Sequence, residues 1–187
     1  MNKLLHKYDS SLKQYCPEFD FEKGYTLSNG DTIDGLGLFD ILRGVMCENR
    51  GVGLSAPQIG IMTRAFVIGN PSDPDNIIAV FNPRIVDTSQ ELETYEEGCL
   101  SFPGLYLKIK RPVSIRARYT NQHNVTDTMK FSGFTARIFQ HEYDHLNGIL
   151  FTNRANSYHL ALAQKQLRSL NKLREKNNQT RRKSYAR

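Results

Sequence analysis

Gln140-His141-Glu142-Tyr143-Asp144-His145 closes a segment in which Phe134, Ile138, His141 and His145 recur three or four residues apart, the spacing of one helix face. Ser132 is placed to cap the start and Gly148 to end the last turn, so a helix is expected from Ser132 to Asn147, with those four residues facing inward. Histidines four apart stand one turn above each other and can grip a single ion. Glu142, one residue from the first, can reach a water on that ion without binding it, which is the chemistry of H-E-x-x-H. Short motifs also arise by chance, and the two histidines are then ordinary members of a packed or solvated helix.

A catalytic ion usually takes three protein ligands and keeps one position for water. Where H-E-x-x-H-x-x-G-x-x-H carries its last histidine this chain has Phe151, and the only acid after His145 is Glu175. His6, His123 and His159 remain, two of them in segments where surface histidines are usual. Upstream stand Cys16, Cys47 and Cys99. Cys99 follows Gly98, which would let the backbone come close to an ion or ligand, and a thiolate binds zinc or ferrous iron well. Taken alone it is as readily a small buried apolar residue.

Outward from the motif, Val113, Ile115, Ala117 and Tyr119 alternate with polar residues, the mark of a half-buried strand, and 121–124 reads as its turn. The runs 65–68 and 77–81 are short and apolar, and Asn82-Pro83 and Phe102-Pro103-Gly104 read as breaks. Leu38, Ile41, Leu42, Val45 and Met46 predict a helix from Leu36 to Asn49. The stretch before Gly35 reads as an irregular arm. After the motif, Leu160, Ala163, Leu167, Leu170 and Leu173 predict one face of a helix from Ser157 to Lys176, and 177–187 reads as a polar, basic, disordered tail. The fold class expected is α+β: mainly antiparallel sheets packed around the central motif helix, with an N-terminal helix and a C-terminal basic helix, all in one domain over residues 1–176.

The 187 residues suffice for a hydrophobic core. No apolar run approaches the roughly 20 residues that cross a bilayer, and the first twenty residues lack a signal-peptide core. Three scattered cysteines argue against a disulfide framework and for a reducing compartment. The expected location is cytoplasmic, with a processed organellar form as the alternative. Of the net charge of +6, residues 154–187 carry +9 and the rest −3. A basic appendage can dock on phosphates while the body does other work.

Three segments, in order, resemble the signatures of peptide deformylases. Gly51-Val52-Gly53-Leu54-Ser55-Ala56-Pro57-Gln58 resembles G-φ-G-φ-A-A-x-Q, Glu97-Gly98-Cys99-Leu100-Ser101 resembles E-G-C-L-S, and Gln140 to His145 resembles Q-H-E-x-D-H. The resemblance runs from about Leu36 to Phe151. Ser55 departs from the family's alanine, a change between small residues from which little consequence is expected.

The resemblance implies a hydrolase that removes the formyl group from N-formylmethionine on new polypeptides and releases formate. It implies that Cys99, His141 and His145 bind one divalent ion, natively Fe2+, with Zn2+, Ni2+ or Co2+ as substitutes. Glu142 would be the general acid/base acting with hydroxide that the ion supplies. Gln58 and the N–H of Leu100 would bind the formyl oxygen, and Val52 and Gly53 would meet the substrate backbone. Family alignment also implies Val52, Tyr95 and Phe134 around the methionine pocket and Arg111 near the substrate, each with an ordinary structural role as the alternative. Gln140 is expected to orient the site, and the basic helix to contact the ribosome. The protein is expected to be a monomer. Two other classes compete: a metallopeptidase cutting internal bonds, and a non-enzymatic nucleic-acid-binding protein with a structural metal.

Overall fold

The computed structural model describes the backbone of residues 4–185 and the side chains as far as residue 178. The arm is irregular apart from a 3-10 turn (Ser10–Lys13) and a small ladder of β1 (Tyr25–Thr26) with β2 (Thr32–Ile33). Helix α1 (Gly35–Glu48) follows, with Asp34 accepting from the Gly37 N–H as its cap. The strands are β3 (Gly53–Ser55), β4 (Ala65–Ile68), β5 (Ile78–Thr88), β6 (Leu92–Gly98), β7 (Tyr106–Pro112), β8 (Ser114–Thr120) and β9 (Thr126–Ser132). Then come α2 (Gly133–Leu146), the short α3 (Phe151–Arg154) and α4 (Ser157–Tyr185). The class is α+β: β3-β4-β5-β8-β9 form one antiparallel sheet and β6-β7 a separate hairpin. Among the described residues no helix is long and apolar enough to cross a membrane.

Three apolar clusters hold these layers together. Leu38, Leu42 and Met46 of α1 pack with Leu54, Val67, Phe81 and the arm's Phe19. Ala136, Phe139 and Leu146 of α2 pack on Phe66, Val80, Ile115 and Phe131 from the other face of the sheet. Leu107 and Ile109 of β7 pack with Leu12, Phe102, Leu150 and Phe151, and with Leu160, Ala163 and Leu167 of α4. Helix α2 is thereby wedged between the large sheet and the hairpin, which positions the site.

Both long inner helices end in the same hydrogen-bonded motif. At the end of α2, Gly148 (φ 68) donates its N–H to His145 O at 3.1 Å and Ile149 donates to Asp144 O at 2.9 Å. At the end of α1, Arg50 (φ 53) donates to Cys47 O at 3.0 Å and Gly51 donates to Met46 O at 2.9 Å. This is the Schellman ending, whose left-handed residue is ordinarily glycine. An L side chain there costs about 1–2 kcal/mol.

Several expectations need correction. Asn82-Pro83 does not end β5. Asn82 takes a left-handed φ of 48 and the register with β8 shifts between Phe81 and Arg84, so the pair makes a bulge inside a longer strand. The Asn82 side chain stabilises it by bonding both the N–H and the C=O of Phe19, at 2.8 and 2.9 Å. Helix α4 runs past Lys176, and residues 177–185, expected to be disordered, are helical; no glycine or proline after 157 interrupts it. Residues 186–187 of that tail lie outside the described residues. Leu170 and Leu173 are exposed, because α4 has left the body by then. Phe134 is 59% exposed rather than inward. Gly133 (φ 57) joins β9 to α2 without a linker, and the start of α2 is exposed as far as Thr135.

Candidate metal centre and cleft

Helix α2 presents Arg137, His141 and His145 on one stripe, each four residues after the last. Cys99 comes from the turn after β6. One ligand atom from each of Cys99, His141 and His145 lies within 4.8 Å of the others. Cys99 Sγ is 3.4 Å from His145 Nε2. His141 and His145 are buried. A thiolate and two imidazoles converging at this spacing fit one divalent ion.

The surroundings hold these side chains in place. Glu97, buried on β6, accepts from Arg111 Nε and Nη2 at 2.7 and 3.0 Å, from Arg137 Nη1 at 2.8 Å, and faces His141 Nδ1 at 3.1 Å. The last contact fixes the ring so that Nε2 is left for an ion. Burial alone would push the Glu97 carboxyl up, but hydrogen bonds from His141 and Arg111 and their charges hold it at about 2. Burial works against a charged His141, yet the hydrogen bonds to Cys99 and Glu97 and the Glu142 charge raise it to about 10. Burial, then the charges of His141 and Arg111, push His145 well below its ordinary value, so its ring is neutral. Arg111 also donates to Asp144 Oδ2 at 2.8 Å, and Arg154 closes the cluster on Asp144.

Glu142 is buried on α2, and its Oε2 has no hydrogen-bond partner. Burial raises its carboxyl to about 7 despite the nearby charge of His141. Gln58 is fixed from behind. Its Oε1 accepts from the Ser55 N–H at 2.9 Å and from Ser55 Oγ at 2.8 Å. Its Nε2 is thereby turned toward Cys99 Sγ at 3.4 Å and Ser101 Oγ at 3.3 Å. The serine in place of alanine therefore has a consequence: it adds a second bond to the Gln58 carbonyl. The Leu5 N–H bonds Gln58 O at 2.8 Å, so the arm supports the same loop.

These groups lie along a cleft of about 550 Å³ whose lining includes Val52, Gly53, Gln58, Cys99, Leu100, Phe134, His141 and Glu142. A Cβ at Gly53 would fall 2.6 Å from Glu142 Oε1, and one at Gly98 would fall 2.8 Å from the Tyr106 ring. The bare backbone on both walls is what an extended peptide needs for close approach.

Cys99, His141, His145, Glu142, Gln58, Leu100, Val52, Gly53 and Phe134 are thus brought together. Arg111 and Tyr95 are not. Alternation along β6 and β7 puts Arg111 on the buried face with Leu107 and Ile109, paired to Glu97 and Asp144. The same alternation turns Tyr95 toward Arg137, whose guanidinium lies 5.7 Å from its ring centre. The Gln140 side chain donates to Pro112 O and Ala136 O, so its hydrogen bonds go to the backbone rather than to a ligand or Glu142. Asp144 is buried and accepts from Arg111 and Arg154. Sequence reasoning missed Glu97, quoted in its motif without a role, and Arg137, whose place four residues before His141 was the signal that could have found it.

An α+β body that brings a half-buried cysteine, two buried histidines and a buried glutamate with one oxygen unpartnered to the foot of a peptide-sized groove defines a candidate metal-dependent amide hydrolase. Residues 5–160 match the family model described as Polypeptide deformylase, and the chain belongs to that family. A peptide deformylase of Prochlorococcus marinus is 46% identical over 111 residues, covering 58% of this chain and 55% of the relative. Peptide deformylase 1B, chloroplastic/mitochondrial, of Arabidopsis thaliana is 39% identical over 138 residues, 72% of this chain and 50% of the relative. The chain thus spans about half the length of these curated relatives. The crystal structure of a peptide deformylase from Synechococcus elongatus in complex with actinonin superposes with a TM-score of 0.74 at 32% identity, covering 88% of this chain and 84% of that one.

Proposed function

We propose that this protein removes the formyl group from N-formylmethionine at the N-terminus of nascent polypeptides and releases formate. The observation that carries the proposal is the buried Glu142 carboxylate, with Oε2 unpartnered, beside Cys99, His141 and His145 at the foot of the cleft. Those three residues hold the ion, natively Fe2+, with Zn2+, Ni2+ or Co2+ able to replace it. The ion supplies a Lewis acid that makes water nucleophilic near neutral pH.

Glu142 takes the proton from the attacking water. As the oxygen–carbon bond forms, the formyl oxygen gains charge, and Gln58 Nε2 and the Leu100 N–H donate to it. Removing one such donor costs about 2.7–4 kcal/mol of barrier lowering in comparable sites. Glu142 then delivers its proton to the peptide nitrogen as the carbon–nitrogen bond breaks, leaving formate and a free amine. A carboxyl lifted toward 7 suits both directions of transfer. Val52 and Phe134 flank the methionine side chain, and Gly53 allows the peptide backbone to lie against β3.

The proposed location is the cytoplasm, with a processed organellar form as the alternative, as in the chloroplastic/mitochondrial relative, and the proposed state is a monomer. The positive face of α4, with Lys165, Arg168, Lys172 and Arg174, contacts ribosomal phosphates with salt-sensitive affinity. The deciding experiment is formate release from formyl-Met-Ala-Ser by protein loaded anaerobically with Fe2+, alongside Glu142→Ala. Wild type is expected to turn over, and the variant to keep its metal while losing about 10²–10⁴-fold in rate. Cleavage of an internal bond without formate release would overturn the proposal.

A further inference from the structure

Arg50 occupies the left-handed position of the Schellman ending of α1, where α2 uses Gly148. The choice is unfavourable for the backbone, so the side chain is the place to look for a compensating role. That side chain is exposed and lines the cleft, immediately before Gly51, Val52 and Gly53 on the same wall. Among the described residues no carboxylate pairs with its guanidinium, whereas the other cleft arginine, Arg137, is buried and bonded to Glu97, Ile109 O and Glu93 O.

Gly53 stands against Glu142, so a formyl group attacked there has its methionine beside Val52 and Gly53. An extended chain advances about 3.3 Å per residue, and three residues of the wall, from Gly53 back to Arg50, span at most about 10 Å. A bound peptide passing Arg50 therefore presents its second or third residue. We infer that Arg50 is a specificity residue that favours peptides with an acidic side chain at position 2 or 3. The inference rests on the proposed deformylase reading. Glu96, exposed on the hairpin, also lines this cleft and opposes the same preference, so the two charges set its size between them.

The test is kcat/KM at low ionic strength for formyl-Met-Ala-Ser and for its analogues with Asp or Lys at position 2 or position 3, using wild type, Arg50→Gly, Arg50→Glu and Glu96→Gln. Wild type should prefer Asp to Lys at one of the two positions by about three- to fivefold, the scale of an exposed charge pair, and lose the preference in high salt. Arg50→Gly should abolish the preference for Asp and, with Glu96 unopposed, tip it toward Lys, Arg50→Glu should tip it further, and Glu96→Gln should enlarge the wild-type preference for Asp. Arg50→Gly restores the residue its backbone favours, so its melting temperature should equal or exceed that of wild type, which separates lost recognition from lost folding. Equal rates for Asp and Lys in wild type, or a preference for Asp that survives Arg50→Gly, would overturn the inference while leaving deformylation intact. Formate release from no peptide would remove the underlying reading, and this inference with it.

Discussion

Glu97 takes hydrogen bonds from Arg111 and Arg137 and faces His141, so one carboxylate joins the hairpin to the metal helix. Removing its charge would leave buried Arg111 paired with Asp144 alone and buried Arg137 with backbone carbonyls alone. Glu97→Gln should therefore destabilise the protein by about 3–5 kcal/mol near pH 7, measured by urea unfolding of metal-free protein. The acid dependence follows from its pKa, about 2 in the fold against an ordinary 4.5. Above 4.5 both states are ionised and the stabilisation is complete. As the pH falls from 4.5 to 2 the unfolded chain takes up the proton first, and the stabilisation fades. The gap between wild type and Glu97→Gln should narrow over that window; a constant gap would mean that the carboxylate is not held down. The histidines and Glu142 were legible because H-E-x-x-H is a local pattern. Glu97 was not, since its partners lie 14, 40 and 44 residues away and no periodicity reports them. Arg111 and Tyr95 were misplaced for the same reason: β6 and β7 were not recognised as paired strands, and pairing alone decides which face each side chain takes.

At the scale of elements, the two Schellman endings and the β5 bulge do work that hydrophobic patterning does not announce. Asn82 reads as a break, yet its two bonds to Phe19 make it the anchor of the arm. Asn82→Ala should cost about 2–4 kcal/mol, from two hydrogen bonds and a left-handed backbone. Asn82→Gly should cost less, and equal losses would show that the side-chain bonds alone matter. Helix α4 divides by packing. Leu167 meets the cluster around Phe151, whereas Leu173 is 57% exposed. Leu167→Ala should lower stability by about 1–2 kcal/mol and Leu173→Ala by less than about 0.5, compared by thermal melting. The stripe of four leucines and Ala163 identified the helix correctly but not where it leaves the body, because periodicity carries no information about the length of the surface beneath.

Across the whole molecule, the arm reaches furthest from its own sequence neighbourhood. Leu4 lines the cleft, and the Leu5 N–H holds Gln58 O at 2.8 Å. Deleting residues 1–9 should leave the melting transition cooperative while lowering kcat/KM for formyl-Met-Ala-Ser by up to about fivefold, the worth of about one hydrogen bond. Unchanged kinetics would show that the Gln58 loop needs no support from the arm.

The bare walls at Gly53 and Gly98 bear on how this cleft could evade an inhibitor. A compound that gripped the peptide backbone at these two positions would meet a target with little room to mutate. Any side chain at 53 would strike Glu142, and any at 98 would strike Tyr106. Escape would have to arise at the exposed rim, at Val52 or Phe134, where side chains can change without touching the reacting groups. An inhibitor with little reach beyond the walls would leave those routes closed.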